Sequence, residues 1–383
     1  MECVYVPVQV TPNLTSFVTK LKRLIDKRDN RGKRHDLAFV LGGVVLAIMS
    51  GRAYASSIHR FIKNKLGWLG RVLGYREAKL VSRAQLPRIL DGVDWSALNE
   101  AVEEQFGVRI EGQDKEWYAI DGKTLRGVAG QGERVLLAVS HSGRRTVAQQ
   151  PLHGTKKSEI TAMREMLAQT GLEKGKTTMD ALHFNPKTTG QIHQARGQYV
   201  IQLKENQPLL LAQMSQEAAE ASPLGTLKTV DKGHGRLEIR QATFFKISHL
   251  EWDPRWAKSG LTTLIVMARR TTNLATQKRS AEVSFYCANV AVGPADEATQ
   301  QELFQAIRGH WGVEADNYIR DVSFQEDKVK TIHSHQAQVL ASLRTLAIQL
   351  FREAGFVNFK AALETFADCP DQFETFLIQY GFL

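Results

Sequence analysis

Cysteine is scarce in this sequence. Cys3, Cys287 and Cys369 are the only three in 383 residues, too few and too scattered for a disulfide framework or a thiolate zinc centre. A reducing, cytoplasmic setting is expected. Long apolar runs are also missing. The longest, Leu37 to Met49, is interrupted by Gly42 and Gly43 and falls short of the roughly 20 residues that cross a bilayer. It reads as a buried core helix. The opening MECVYVPVQV has no charged segment leading into an apolar one, so no secretory signal is read there. No phosphate-binding loop is present, which argues against a nucleotide cofactor. Acid is in deficit: 50 Lys+Arg face 40 Asp+Glu, a net charge of +10. Such a surplus speaks of polyanionic partners, nucleic acid first among them, and not of fold.

The order of apolar patterns divides the chain. Residues 10–110 carry helical spacing, as in Leu14, Phe17, Leu21 and Leu24, and are punctuated by Lys20, Lys22, Arg23, Lys27 and Arg28. Near Glu116 the pattern changes. WYAID, VLLAVSH and TVAQQPL read as consecutive antiparallel strands. A helix capped by Ser158 and ended by Gly171 follows. TTMDALHF then reads as a strand, 186–196 as a helix and YVIQLK as a strand, giving βββαβαβ. Four further strand-like segments lie between 225 and 290, after which the chain is helical from Thr299. The expected units are 1–112 (helical, a DNA-binding candidate), 113–224 (first part of an α/β core), 225–295 (β-rich insertion), 296–352 (completion of the core) and 353–383 (helical tail).

Two carboxylates sit at strand ends, Asp121 in AIDGK and Asp180 in TTMDA. Gly122 is expected to turn the backbone, with Lys123 and Arg126 on the loop beyond. An aspartate before glycine is also a common turn former, and Asp180 could equally cap the next helix. Glu314 is the third acid. It lies on a helix expected from Thr299 to Asp321, with Ile307, His310, Trp311 and Tyr318 on the same face. Neighbouring strands would let Asp121 and Asp180 share a divalent metal, and a facing helix would add a third ligand for a second ion. Asp316, Asp321 and Glu326 are rivals for the third position. Trp311 reads as core packing, and His310 as either a core histidine or a group orienting Glu314. Lys204 and Asn206 follow a strand and could rim the site. His234, Arg236 and Arg240 sit among glycines in KGHGRLEIR, as phosphate contacts or as a solvated turn. His153, Lys156, Lys157 and Glu159 read as a charged loop entering a helix.

At these residues the sequence resembles bacterial insertion-sequence transposases of the group that includes the H-repeat-associated proteins. The motifs are AIDGKTLRG, KKSEI, MDA, QLKENQ, KGHGRLEIR, RGHWGVE, RDVSFQED and ASLRTLAIQL, in order along most of the chain. The resemblance implies an α/β RNase H-like catalytic core, a mixed sheet with flanking helices, carrying a β-rich insertion and a helical N-terminal domain. It implies a DDE triad of Asp121, Asp180 and Glu314 using Mg²⁺ or Mn²⁺, as two ions. The expected activity is phosphodiester hydrolysis and strand transfer on DNA element ends and target, by a homodimer on paired ends. No membrane partner is expected. Lys123, Arg126, Lys204, Asn206, His234, Arg236, Arg240 and His310 are the candidate DNA contacts. The wider superfamily places Tyr, Arg, Glu and Lys around the third acid; here those positions hold Ile307, His310, Glu314 and Asp321. Two alternatives remain open: a DNA-binding protein that has lost catalysis, and a metal-dependent hydrolase of a small phosphorylated substrate.

Overall fold

A helix that is apolar on every side must be buried on every side. The Leu37–Met49 run obeys this, and all its residues are buried. The computed structural model describes residues 16–30, 33–106, 115–126, 128, 133–152, 156–248, 253–331 and 333–383, side chains at 156–158 excepted. Leu14, His153 and the side chains of Lys156, Lys157 and Ser158, named above, lie outside the described residues.

Among the described residues, six helices precede the sheet: α1 (Phe17–Lys22), α2 (Leu37–Met49), α3 (Ala55–Asn64), α4 (Leu66–Val72), α5 (Gln85–Asp91) and α6 (Trp95–Phe106). Asp36 caps α2 by accepting from the Phe39 N–H at 2.9 Å. Strands β1 (Trp117–Thr124), β2 (Arg134–Ser140) and β3 (Thr146–Leu152) follow. Then come α7 (Lys156–Thr170), β4 (Lys176–Met179), α8 (Pro186–Gln194), β5 (Gln198–Leu203) and α9 (Pro208–Glu220). The insertion supplies β6 (Gly225–Gly233), β7 (Arg236–Lys246), β8 (Thr263–Asn273) and β9 (Arg279–Ala288). The chain continues with α10 (Glu297–Gly309), α11 (Trp311–Val322), α12 (Ser334–Glu353), α13 (Phe359–Asp368) and α14 (Pro370–Gln379).

Among the described residues, nine strands form one mixed sheet in the order β3-β2-β1-β4-β5-β9-β8-β7-β6. β1, β4 and β5 run parallel, joined by helical crossovers, and the remaining pairs are antiparallel. This is the α/β, RNase H-like arrangement of mixed sheet and flanking helices, with the β-rich insertion continuing the sheet through β9. Helices of the first and last segments are not separate bodies. Phe17, Leu41, Ile58, Leu86, Leu343, Phe351 and Phe373 belong to one apolar cluster.

Several boundaries differ from expectation. β1 does not stop at Asp121. It pairs with β2 as far as Thr124 against Arg134, so Gly122 is extended strand and not a turn. β4 is shorter than TTMDALHF, because the Asp180 side chain accepts from the Leu182 N–H at 2.9 Å and starts a 3-10 turn over Ala181–His183. α7 begins at Lys156, ahead of Ser158. The helix expected over 299–321 is two helices, divided at His310.

A buried ion network fixes α11 to its surroundings. Asp316, fully buried, accepts from Arg320 at 2.9 Å and from Arg352 on α12 at 2.5 Å. Arg320 and Arg344 also approach Glu326 at 3.9 and 3.8 Å. Asp316 and Glu326 are therefore structural, and the same holds for Asp321, paired with Lys123 at 2.5 Å. Removing the charge at Asp316 strands two buried guanidinium groups. Asp316→Asn should cost about 3–5 kcal/mol in urea unfolding. A loss below about 1 kcal/mol would show that the network does not hold α11.

Candidate active site

The parallel register of β1 and β4 makes the site. Trp117 pairs Lys176 and Ile120 pairs Met179, so Asp121 and Asp180 are the next residues on adjacent strands, about 5 Å apart along the ladder direction. Alternation along β1 turns Ile120 toward the α7 side, in the cluster with Met163 and Ile192, and Ala119 toward Val313 of α11. Asp121 shares the Ala119 face. α10 lies over that face too, held by Glu302, which accepts from Trp117 Nε1 at 2.9 Å and pairs with Lys176 at 2.6 Å. Glu314, in the first turn of α11, lines the same cleft as Asp121 and Asp180.

Burial, and then the charge of Asp180, raise the Asp121 carboxyl to about 6 from its ordinary 3.8; the Gly122 backbone N–H and His183 offset part of this. The two carboxylates are thus held together, and among the described residues neither forms a salt bridge with a lysine or arginine. That is the electrostatic condition of a cation site, and the oxygen donors suit a hard divalent ion. Glu314 is not drawn into a tight set with them: among the described residues, no three His, Cys, Asp or Glu side chains converge closely enough to hold a metal.

Behind each acid lies a support that the sequence did not disclose. Glu159 of α7 is not a loop residue. It is buried, its Oε1 reaches under Gly122 where a Cβ would stand 2.4 Å away, and it pairs with Arg134 at 2.6 Å. Burial alone would raise its carboxyl, but His183 and Arg134 hold it below its ordinary range. His183 is 3.7 Å away, an electrostatic approach too long for a hydrogen bond. Only glycine fits at 122 while Glu159 keeps this position. On the other side, Thr178 Oγ1 lies 3.1 Å from both His141 Nε2 and His310 Nδ1. Burial lowers both imidazoles to about 4, His310 further through the proximity of His141, so both are neutral near pH 7. His141 also packs on Gly309, where a Cβ would stand 2.1 Å from Nδ1. The bridge ties β4, two residues before Asp180, to the α10–α11 junction, four before Glu314. His310 is half-buried, and it also lines the cleft.

The remaining candidates divide. Lys204, Arg236 and Arg240 line the cleft. Arg240 is engaged by Asp231 at 2.8 Å and by Glu238. Lys123 departs from expectation: it is 5% exposed, pairs with Asp321 and Asp327, and is closed to a phosphate. Arg126 is exposed and 3.7 Å from Asp327. His234 occupies the β6–β7 hairpin with φ of 48°. Asn206 braces the Asp180 loop by donating to the Ala181 carbonyl at 2.6 Å. Trp311, expected in the core, is 57% exposed on the cleft wall, with Arg269 over its ring at 6.0 Å. Arg269 and Arg308 were missed. They lie at the far end of β8 and on α10, and only the fold brings them to the cleft.

A raised acid binds its proton more tightly when folded, so its contribution to stability falls as pH rises between about 4 and 6. Asp121→Asn should therefore stabilise the metal-free protein at pH 7.5, by about 1–3 kcal/mol, read as a rise in Tm of several degrees. An unchanged or lower Tm would mean that the two aspartates do not repel. Thr178→Val should raise the Mn²⁺ concentration for half-saturation in a binding titration about tenfold, with Thr178→Ser restoring it. Equal losses in Val and Ser variants would refute the bridge.

Comparison with known proteins accords with this geometry. The family model described as DDE_Tnp_1-associated matches residues 18–104, and that described as Transposase DDE domain matches residues 87–350. The chain is 31% identical over 253 residues to "Uncharacterized protein in dhlA 3'region" of Xanthobacter autotrophicus, covering 64% of this chain and 84% of that protein. It is 23% identical over 355 residues to "Putative transposase YncI" of Escherichia coli O157:H7, covering 89% and 88%. The protein of that name in strain K12 is 26% identical over 227 residues, covering 56% of this chain and 90% of its own length. The Transposase DDE domain match takes in the strands bearing Asp121 and Asp180 and the helix bearing Glu314, and the chain belongs to the DDE transposase family.

Proposed function

We propose that this chain is a metal-dependent DNA transposase or endonuclease in which Asp121, Asp180 and Glu314 are the metal-holding acids. The observation that carries the reading is the adjacent pair Asp121 and Asp180, uncompensated and raised in one case to about 6, in a cleft whose opposite wall bears Glu314 and several arginines.

Asp121 and Asp180 would hold a divalent ion between strands, with Glu314 the ligand on α11. Bound Mg²⁺ or Mn²⁺, as one ion or two, would supply charge stabilisation at the scissile phosphate and acidify an attacking water. The chain's own residues do the positioning. Lys204 and Arg236, exposed on the cleft wall, would take phosphate oxygens. Neutral His310 and His141 hold Thr178, and through it the spacing between β4 and α11. Hydrolysis forms a bond from water oxygen to phosphorus and breaks the bond to the 3′ oxygen, leaving a 3′-hydroxyl and a 5′-phosphate. In strand transfer that hydroxyl would form a bond to a second phosphorus as the bond from that phosphorus to its own 3′ oxygen breaks, leaving a new 3′-hydroxyl on the target strand. Two copies on paired element ends fit such a reaction.

The open position of Glu314, outside any tight ligand set, favours a second reading, a DNA-binding protein without catalysis. A nicking assay on supercoiled plasmid in Mg²⁺, Mn²⁺ or EDTA separates the two. Wild type should nick only with metal, and Asp121→Asn and Glu314→Gln should each lose at least about 100-fold while retaining DNA affinity. Tight DNA binding by wild type without nicking on any DNA, cognate ends included, would sustain the second reading.

A further inference from the structure

The four insertion strands sort their charges by face. On the cleft side, every acid among these strands is matched: Asp231 by Arg240 and Arg308, Glu238 by Arg240, and Glu282 by Arg269. Alternation sends the intervening residues to the outer face. Register builds three cross-strand rows there: Lys232–Leu237–Thr272–Arg279, Val230–Ile239–Arg270–Ala281 and Lys228–Gln241–Ala268–Val283. No acid occurs in these rows. Lys228, Lys232, Arg270 and Arg279 are all exposed, and none has an ion-pair partner among the described residues. Val230 and Val283 are 60% and 59% exposed between them.

Edge lysines alone guard a sheet against edge pairing, which accounts for Lys228 and Lys232 on β6. It does not account for Arg270 on β8, paired on both sides, or for Arg279 on β9. Nearer the core this face is covered: Val266 and Phe285 pack with Leu210 and Met214 of α9. The outer rows remain open. Lys232 and Arg279 end one row, three strand spacings or about 14 Å apart, close to the roughly 12 Å between the phosphate rows that border a major groove.

We propose that the outer face of the insertion is a second DNA-backbone surface, gripping a duplex outside the catalytic cleft through Lys228, Lys232, Arg270 and Arg279. It rests on the reading of the chain as a DNA-acting protein. The four acid-free positions supply sequence-independent phosphate contact, and Thr272 and Gln241 between them add neutral donors. The cleft face, where arginine and acid balance, supplies no comparable net charge.

The test is duplex binding across a salt series by the wild type and by the fourfold variant Lys228→Ala, Lys232→Ala, Arg270→Ala, Arg279→Ala, with plasmid nicking at low salt alongside. Exposed sites make misfolding improbable, and thermal melting checks it; the pair Arg270→Glu, Arg279→Glu gives a second, stronger perturbation. The expected result is a log–log salt slope shallower by about 2 to 4, with metal-dependent nicking at low salt retained. An unchanged slope and affinity would overturn the proposal while leaving the catalytic reading intact. So would an unchanged slope with loss of a wild-type dimer in sedimentation, which would make the face an interface between copies. Failure of wild type to bind DNA at all would overturn both readings.

Discussion

Two like charges side by side at the centre of a sheet are unfavourable, and the rest of the molecule is arranged around keeping them there. Parallel pairing fixes the register, because Ile120 and Met179 are buried partners and a one-residue slip would send core residues to the wrong face. With that register set, Asp121 and Asp180 cannot separate. The resulting strain is local and electrostatic, and it would be relieved by a cation.

The third acid is held differently. Glu314 is exposed on a short helix, and its place is set by what lies under α11. Asp316 and Arg320 point inward to Arg352 and Arg344, and Lys123 reaches from β1 to Asp321. The same helix thus has an ion-paired inner face and a solvent-facing outer face carrying Glu314. At its start, His310 divides α10 from α11, and the Thr178 bridge anchors that junction to β4. Helix position and strand position are coupled by one hydroxyl between two neutral rings. Such a coupling is sensitive to the loss of a single hydrogen bond.

Much of this was legible in the sequence because it rests on periodicity. The succession of strands along the chain, the insertion and the α2 core helix follow from alternation and apolar runs, and the acids at 121 and 180 from their place after buried β residues. Long-range pairings were not legible. Nothing local distinguishes Lys123, which a loop would have exposed, from a lysine locked under α11; the difference lies in Asp321, far downstream. Glu159 reads as one more charge beside two lysines, and only the space vacated by Gly122 makes it an internal carboxylate. The helix break at 310 escaped because Ile307, His310, Trp311 and Glu314 keep helical spacing through it. Trp311, large and apolar, reads as core by composition, yet it stands exposed on the cleft wall.

Net charge shows the same limit from the other side. A surplus of +10 points to a polyanion but gives it no address. The address comes from pairing. Where arginines meet acids across a ladder, as Arg269 meets Glu282, their charge is largely spent on the protein itself. Where a face alternates cations with Val, Thr and Gln and has no acid, its field is uncancelled. In this sheet the two conditions occupy opposite faces of the same strands, separated only by the one-residue alternation of the β backbone. A sequence read by composition averages over them; the register, once known, tells them apart.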